Sequence, residues 1–215
     1  MNIAIIDYNS GNLASLKNSL ESAVKNNNKD FKVNITGKPE EIITADKVIL
    51  PGVGDFFNCK KQLMKINGMI DAINYFIKEK EKPFLGICIG MQLMAKVSYE
   101  RKKNRGLELI DSEVNIIENN SKEIRVPHMG WNNVYLENKS KEKDFPSLKN
   151  NDFYFVHSYH MRCKNKNEVL ASTNYGKKIV SAVIKDNLLG VQFHPEKSQE
   201  KGKKFLEEFL DWKPE

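Results

Sequence analysis

The first part of the chain alternates short apolar runs with stretches in which apolar side chains recur at helical spacing. Runs at residues 2–7, 31–36, 47–50 and 83–87 have the length and composition of strands. Helical spacing relates two sets of apolar residues: Leu13, Leu16, Leu20 and Val24, and then Met69, Ile70, Ile73, Phe76 and Ile77. Strands that alternate with helices predict an α/β fold, with a parallel sheet covered on both faces.

The second half has a different pattern, in which strand-like runs follow one another with few helical stretches between them. These runs lie at residues 114–117, 131–136, 153–156, 179–184 and 188–193. They predict an antiparallel extension of the same sheet. We also predict a helix over 91–97, a polar surface loop over 138–151 and a closing helix after Ser198.

Length and cysteine usage limit the class of protein. A chain of 215 residues suits one large domain, which we expect to span residues 1–215. Cys59, Cys88 and Cys163 form an odd, sparse set without a CxxC motif, which argues against a disulfide framework or a zinc site. No apolar run approaches the ~20 residues of a membrane span, and the N-terminus lacks the basic region of a signal peptide. We therefore expect a cytoplasmic protein.

The formal charge of +6 raises nucleic-acid binding as a possibility. Arginine, the residue best suited to bidentate contacts with phosphates and bases, occurs at only four positions. Nearly all the positive charge is lysine, scattered among acids along the whole chain. The composition therefore favours a solvated lysine-rich surface, without nucleic acid as a partner.

The segment Gly86-Ile87-Cys88-Ile89-Gly90 lies between a predicted strand and a predicted helix. This arrangement has the form of a nucleophile elbow in which cysteine replaces serine. The flanking glycines remove side chains that would collide at a sharp turn. The start of the following helix favours a thiolate. Cys88 is the candidate nucleophile, and a small buried core cysteine is the alternative.

A cysteine nucleophile usually needs a base, and the chain has four histidines. His194 follows the run 188–193, at the end of the strand where sites in parallel sheets open. Glu196 lies two residues further on and can project to the same side of an extended backbone. A carboxylate that orients the imidazole would complete a triad of Cys88, His194 and Glu196. The alternative is a capping histidine beside a surface glutamate.

The third candidate element is Pro51-Gly52-Val53-Gly54, which follows a buried strand. Glycines allow backbone N–H groups to approach a ligand closely, and such groups stabilise an oxyanion in acyl transfer. The alternative is an ordinary Pro-Gly turn.

Together these elements resemble the class I, or triad, glutamine amidotransferases. Motifs of that class stand here in the same order at residues 51–54, 86–92 and 194–196. Further motifs resemble one family within it, the glutaminase subunits of imidazole glycerol phosphate synthase: Asp7-Tyr8-Asn9-Ser10-Gly11-Asn12, Val126-Pro127-His128-Met129-Gly130-Trp131-Asn132, Tyr154-Phe155-Val156-His157-Ser158-Tyr159 and Gln192-Phe193-His194-Pro195-Glu196-Lys197-Ser198. The resemblance implies a flavodoxin-like α/β/α fold.

The resemblance also implies a reaction. The Cys88 thiolate would attack the side-chain amide of glutamine, and His194 would protonate the departing ammonia and then activate water against the thioester. The ammonia would pass to a (β/α)8-barrel synthase subunit, the partner in a heterodimer, which makes imidazole glycerol phosphate and aminoimidazole carboxamide ribotide in histidine biosynthesis. Neither a metal nor an organic cofactor is implied for this chain.

Binding residues follow from the same resemblance. Gly52, Val53 and Gly54 would line the glutamine site, and Gln92 and Glu100 would reach the amino-acid end of the substrate. A carboxylate suits an ammonium group, and an amide can bond to either end. Residues near the active site and the partner interface, with a docking or allosteric role, would be the following: Asn12, His128, Trp131, His157 and Tyr159. His157 and His160 could instead have a structural role, which is also our expectation for Cys59 and Cys163.

One position departs from the family pattern. After Arg105 the family usually has Gly-Leu-Gly-Leu, whereas this chain has a glutamate at position 108. The departure leaves open a paralogous glutaminase that supplies ammonia for bacterial sugar amidination. A cysteine stress-response protein with a similar elbow is a third possibility, but it does not need a late His-Pro-Glu.

Overall fold

The computed structural model describes residues 1–26, 31–118 and 124–214. Its first half alternates strands and helices as the sequence predicts. The elements are β1 (Asn2–Ile6), α1 (Leu13–Asn26), β2 (Lys32–Thr36), α2 (Pro39–Thr44), β3 (Lys47–Leu50), α3 (Phe56–Lys65), α4 (Met69–Lys78), β4 (Phe84–Ile87) and α5 (Ile89–Leu93).

The second half consists mainly of strands, with one long helix at its end. Its elements are β5 (Ala95–Ser98), β6 (Asn104–Arg105), β7 (Ile110–Ile116), β8 (His128–Leu136), β9 (Asn151–His157), β10 (Tyr159–Cys163), β11 (Val169–Tyr175), β12 (Lys177–Lys185), β13 (Leu188–Val191) and α6 (Gln199–Asp211).

The main sheet has the strand order β2-β1-β3-β4-β13-β12-β11-β8-β9. Pairing is parallel from β2 to β13 and antiparallel from β13 to β9. The strands β1, β3, β4 and β13 are buried at nearly every position, as expected for strands covered by helices on both faces. On the helical layers α1 packs against α6, and α2 packs against α4. The predicted three-layer α/β fold with an antiparallel extension is confirmed.

Part of the predicted extension forms a separate sheet. The strands β10, β7, β5 and β6 make a second, four-stranded sheet, whereas the sequence predicted one continuous sheet. The prediction of a helix over 91–97 is only partly confirmed, because α5 ends at Leu93 and β5 begins at Ala95. The carbonyls of Leu93 and Met94 accept hydrogen bonds from the backbone of Leu107 and Leu109, so the helix ends and β5 begins. A partner distant in sequence therefore overrides the local helical pattern.

The predicted surface loop at 138–151 is also partly wrong. It contains two short 3-10 helices, Lys139–Lys141 and Pro146–Leu148, and its Phe145 and Leu148 are fully buried. Ser147 donates from its backbone and its hydroxyl to the Glu208 carboxylate on α6. The segment thus fastens α6 to the body of the protein.

Candidate active site

Three neighbouring parallel strands bring the three candidate motifs to one edge of the main sheet. β4 lies between β3 and β13, with Leu50 opposite Gly86 and Val191 opposite Ile87. The carboxyl end of β3 leads into residues 51–54, which we call the oxyanion segment. The carboxyl ends of β4 and β13 lead into the elbow and into the segment that carries His194. The Cys88 N–H donates to the Val191 carbonyl at 2.8 Å, which extends the ladder to the elbow itself. This is the edge at which parallel sheets open their sites.

Cys88 stands at a strained turn between β4 and α5. Its φ is +53°, a conformation that is unusual for a residue with a side chain, and its side chain is buried. Gly90 permits the turn, because a Cβ there would lie 1.8 Å from the Leu50 carbonyl oxygen. Any larger residue at position 90 would push α5 away from β3. The structure therefore has the predicted elbow geometry around Cys88.

His194 and Glu196 form a buried pair beside Cys88. Nδ1 of His194 lies 2.8 Å from Oε1 of Glu196, and both side chains are almost fully enclosed. Burial by itself lowers the pKa of His194, but the interactions with Cys88 and with the Glu196 carboxylate raise it well above its ordinary range. The Nε2 atom has no hydrogen-bond partner among the described residues and remains available for proton transfer.

The oxyanion segment packs closely against the elbow. A Cβ on Gly52 would lie 2.6 Å from the Tyr8 hydroxyl and 3.1 Å from the Gly90 nitrogen, so only glycine fits there. The Val53 N–H donates to Oγ of Ser10 at 3.2 Å, and the Ser10 hydroxyl donates to the Val53 carbonyl at 2.9 Å. The Val53 N–H is therefore already paired with Ser10 in this structure.

Gln92 is buried and held by its amide nitrogen. That nitrogen donates to the Tyr159 carbonyl at 2.9 Å and to Oε1 of Gln192 at 3.0 Å. Its own Oε1 has no partner among the described residues. The side chain thus presents an unused acceptor.

A pocket of about 690 Å³ encloses the candidate groups. Nine of the predicted site residues line it: Asn12, Val53, Gly54, Cys88, Gln92, Glu100, His157, Tyr159 and His194. Glu100 also accepts from the Phe56 N–H at 2.7 Å, at the start of α3. Burial raises the pKa of Glu100, and the negative charge of Asp55 raises it further. The hydrogen bond from Phe56 acts in the opposite direction.

The remaining predicted residues lie behind the pocket or outside it. Glu196 contacts the pocket residue His194, His128 contacts the pocket residue His157, and a Cβ on Gly52 would meet the pocket residue Ile89. Trp131 is half exposed on β8, where its ring meets Tyr154 edge-on.

His128 and His157 form a relay of neutral rings. His157 donates from Nδ1 to the Tyr159 carbonyl at 2.8 Å, so its Nε2 must accept from Nδ1 of His128 at 3.0 Å. His128 then accepts at Nε2 from the amide of Asn132 at 3.1 Å. Burial lowers the pKa of His128 to about 4 and that of His157 to about 3, so both rings are neutral at physiological pH. The relay joins β8 to the carbonyl that holds Gln92.

The glutamate at position 108 keeps the backbone conformation that glycine would favour. Its φ is +58°, in the left-handed region. Its carboxylate pairs with the Arg105 guanidinium at 2.7 Å, and its N–H donates to the Ala95 carbonyl at 3.2 Å. The departure from the family pattern therefore places a side chain at a left-handed position, where glycine would carry less strain.

Three residues of this region were not singled out by the sequence: Ser10, Gln192 and Lys197. Lys197 lines the pocket, Gln192 contacts Gln92, and Ser10 contacts the oxyanion segment. All three lie inside family motifs, at residues 7–12 and 192–198, and this was the only sign in the sequence that they belong to the site. Their side-chain contacts join segments far apart in the chain, which a motif does not reveal.

The fold and this site define a class of protein. A model of the family described as "Glutamine amidotransferase class-I" matches residues 4–212. The chain is therefore a glutamine amidotransferase of that class.

Curated relatives narrow the family. Proteins named "Imidazole glycerol phosphate synthase subunit HisH" from Rhodopseudomonas palustris, Pelagibacter ubique and Zymomonas mobilis are 41%, 40% and 42% identical to it. The alignments cover 98–100% of this chain and 96–100% of the relatives. The chain belongs to this HisH family.

Solved structures agree at the level of the fold. One titled as a glutamine amidotransferase has a TM-score of 0.68 at 20% identity, over 96% of this chain and 98% of that one. Another, from Thermotoga maritima, has a TM-score of 0.63 at 19% identity, over 98% of this chain and 83% of that one. Among the described residues, no helix is long and apolar enough to cross a membrane.

Proposed function

We propose that this chain is the glutaminase subunit of an imidazole glycerol phosphate synthase and that it supplies ammonia to a (β/α)8-barrel synthase subunit. The carrying observation is that Cys88 and His194 line one pocket at one edge of the sheet, with Glu196 hydrogen-bonded to His194. The names of the HisH relatives support the choice of acceptor.

The geometry supports a thioester mechanism. The Cys88 thiolate attacks the side-chain amide carbon of glutamine, and the His194 imidazolium donates its Nε2 proton to the departing ammonia. His194 is then neutral and takes a proton from water as that water attacks the thioester. Glu196 holds Nδ1–H throughout and stabilises the imidazolium. Glutamate leaves, and the thiolate and imidazolium are restored.

Substrate contacts follow from the unused groups of the pocket. The free Oε1 of Gln92 accepts an N–H of the substrate, and the Glu100 carboxylate pairs with its ammonium group. Backbone N–H groups of the 52–54 segment stabilise the oxyanion after the segment reorients.

In the same proposal residues 1–215 form one domain, supported by a single core cluster that runs through both halves of the described chain. A cytoplasmic location is supported by three free cysteines.

The Ser10 contacts suggest how hydrolysis is coupled to the partner. While Ser10 holds the Val53 N–H, that donor is not available to an oxyanion. Gly54, with φ +104°, lets the segment change conformation at modest cost. The proposal is that the partner and its nucleotide favour the released form, with a coupling of about 1–3 kcal/mol.

We expect the isolated chain to hydrolyse glutamine very slowly, and the synthase with its nucleotide to activate it. Rates should be measured for the chain alone, with the synthase subunit, and with the synthase plus nucleotide. Ser10→Ala should raise the basal rate of the isolated chain, because it frees Val53.

Equal rates in all three conditions would remove the coupling. Activation by a sugar-amidination partner, with none by the histidine-pathway synthase, would instead favour the paralogous function.

The proposed docking face lies on one side of β8. Met129, Trp131 and Tyr135 alternate along this strand on the same side and are exposed by 62%, 49% and 41%. The face begins two residues after Pro127, which lines the pocket. An apolar, aromatic surface beside the ammonia source fits an obligate subunit partner.

Trp131→Ala is expected to weaken synthase binding by roughly tenfold or more, since a central tryptophan at an interface commonly contributes above ~1.4 kcal/mol. Ile116→Ala is the matched control, because Ile116 is similarly exposed, at 52%, but lies in the second sheet. Isothermal titration of both variants with the purified synthase measures the effect. Equal affinities for Trp131→Ala and the wild type would place the interface elsewhere.

A further inference from the structure

Gln192 is a fully buried residue that lies between Gln92 and Cys88. It directly follows β13, two residues before His194. One end of its amide contacts Gln92, and its Nε2 lies 3.7 Å from Sγ of Cys88. The side chain therefore spans from a proposed substrate-binding residue to the proposed nucleophile.

The orientation of both amides follows from one backbone carbonyl. The Tyr159 carbonyl can only accept, so the Gln92 atom 2.9 Å away is the amide nitrogen. The same nitrogen faces Gln192 at 3.0 Å, so the Gln192 atom there is the oxygen. The other end of Gln192, which faces Cys88, must then be the N–H₂ group. The donor at the sulfur is fixed by the network.

The surroundings of the sulfur give this donor a distinct role. The Val156 carbonyl lies 3.9 Å from Sγ and can bond only to the neutral thiol. A thiolate has no hydrogen to donate and needs donors. Gln192 supplies a neutral one at 3.7 Å, beside the positive charge that a raised pKa favours on His194. Hydrogen bonds to an ionised partner are roughly twice as strong as those between neutral groups.

We propose that Gln192 is a further catalytic residue: its amide N–H stabilises the Cys88 thiolate, and its oxygen ties that thiolate to Gln92. This rests on the proposed function. The hydrogen bond keeps the sulfur charged before attack. It also helps the sulfur to leave when water has added to the thioester, because the C–S bond then breaks with its electron pair on sulfur.

The test is the pH dependence of Cys88 alkylation by iodoacetamide, with the labelled peptide identified by mass spectrometry and no glutamine present. Gln192→Met keeps the length and volume of the side chain but removes the donor. It should move the alkylation midpoint to higher pH by about one unit and slow the reaction at neutral pH roughly tenfold. Gln192→Glu should shift the midpoint further, because a carboxylate would face the thiolate.

Ser181→Ala is the matched control. Ser181 is equally buried, its backbone carbonyl accepts from the Gln192 N–H, and its hydroxyl has no partner among the described residues. Its alkylation profile should equal that of the wild type. Thermal unfolding of every variant distinguishes a loss of packing from a loss of the hydrogen bond to sulfur. Lost packing would lower the melting temperature without moving the alkylation midpoint.

An unchanged midpoint in both Gln192 variants would overturn the proposal. Glutamine hydrolysis by the wild-type complex is measured in parallel. If that activity is absent while the midpoint still shifts, the proposed function fails and the role of Gln192 at the sulfur stands.

Discussion

Replacing Cys88 by alanine is expected to abolish glutamine hydrolysis in the synthase complex, while glutamine still binds. No other described group at the elbow can form the thioester, and loss of the nucleophile in a triad enzyme commonly costs roughly 10⁶-fold in kcat. Alanine tolerates the strained φ of +53° at position 88 better than a β-branched residue would, so the fold should persist. Hydrolysis is measured as glutamate release, and binding by titration calorimetry.

Cys163→Ala is the control for this variant. Cys163 lies at the end of β10, and burial, with a contribution from Glu168, raises the pKa of its thiol to about 12. It stays protonated and should not contribute to turnover. Cys59 is a less suitable control, because its sulfur contacts both Ser10 and the Val53 carbonyl. Wild-type turnover in Cys88→Ala would end the thioester mechanism.

Replacing His194 by alanine is the second large effect, with an expected loss of at least ~10²–10⁴-fold in kcat. Without its Nε2 proton, ammonia must leave as an unprotonated amide ion, and nothing activates the attacking water. Glu196→Gln should cost less, because the imidazole remains but loses the carboxylate that orients it. Steady-state kinetics of the activated complex distinguish the two.

The pH behaviour gives a second readout for the pair. Burial favours neutral His194, whereas Cys88 and Glu196 favour the imidazolium and prevail. Removing either partner should therefore lower the pKa of His194, which can be followed by NMR titration of the labelled ring. Any stabilisation from this charged pair is complete below the ordinary histidine pKa and is lost as pH rises through the raised value. His160→Asn, outside the pocket, should leave turnover unchanged.

Near-normal turnover in His194→Ala would redirect the search for the base. His128, His157 and His160 are then the remaining candidates, although burial lowers the pKa of all three and the first two are hydrogen-bonded to each other.

The candidate site was predictable where a function depends on a short motif. The elbow around Cys88 and the pair His194 and Glu196 each lie within five residues, and each needs specific residue types at fixed spacing. The sequence could also place both after strands. It could not show that those strands are neighbours, which is what brings Cys88 and His194 together.

Contacts between distant segments account for what sequence reasoning missed. Ser10 contacts Val53 across 43 positions, and Gln192 contacts Cys88 across 104. Neither pairing has a periodicity or a spacing that could reveal it. The same cause ended the helix predicted at 91–97, where Leu107 and Leu109 take the carbonyls that would have continued it.

The sequence by itself determined the α/β architecture, the family and the candidate reacting groups, because apolar periodicity and short motifs are local properties of the chain. The tertiary structure alone decided the directions in which the pKa values of the histidines shift, the conformation of the oxyanion segment and the second sheet. These depend on burial and on partners supplied by other strands. His194 and His157 both line one pocket, yet Cys88 and Glu196 raise the pKa of the first while burial lowers the pKa of the second.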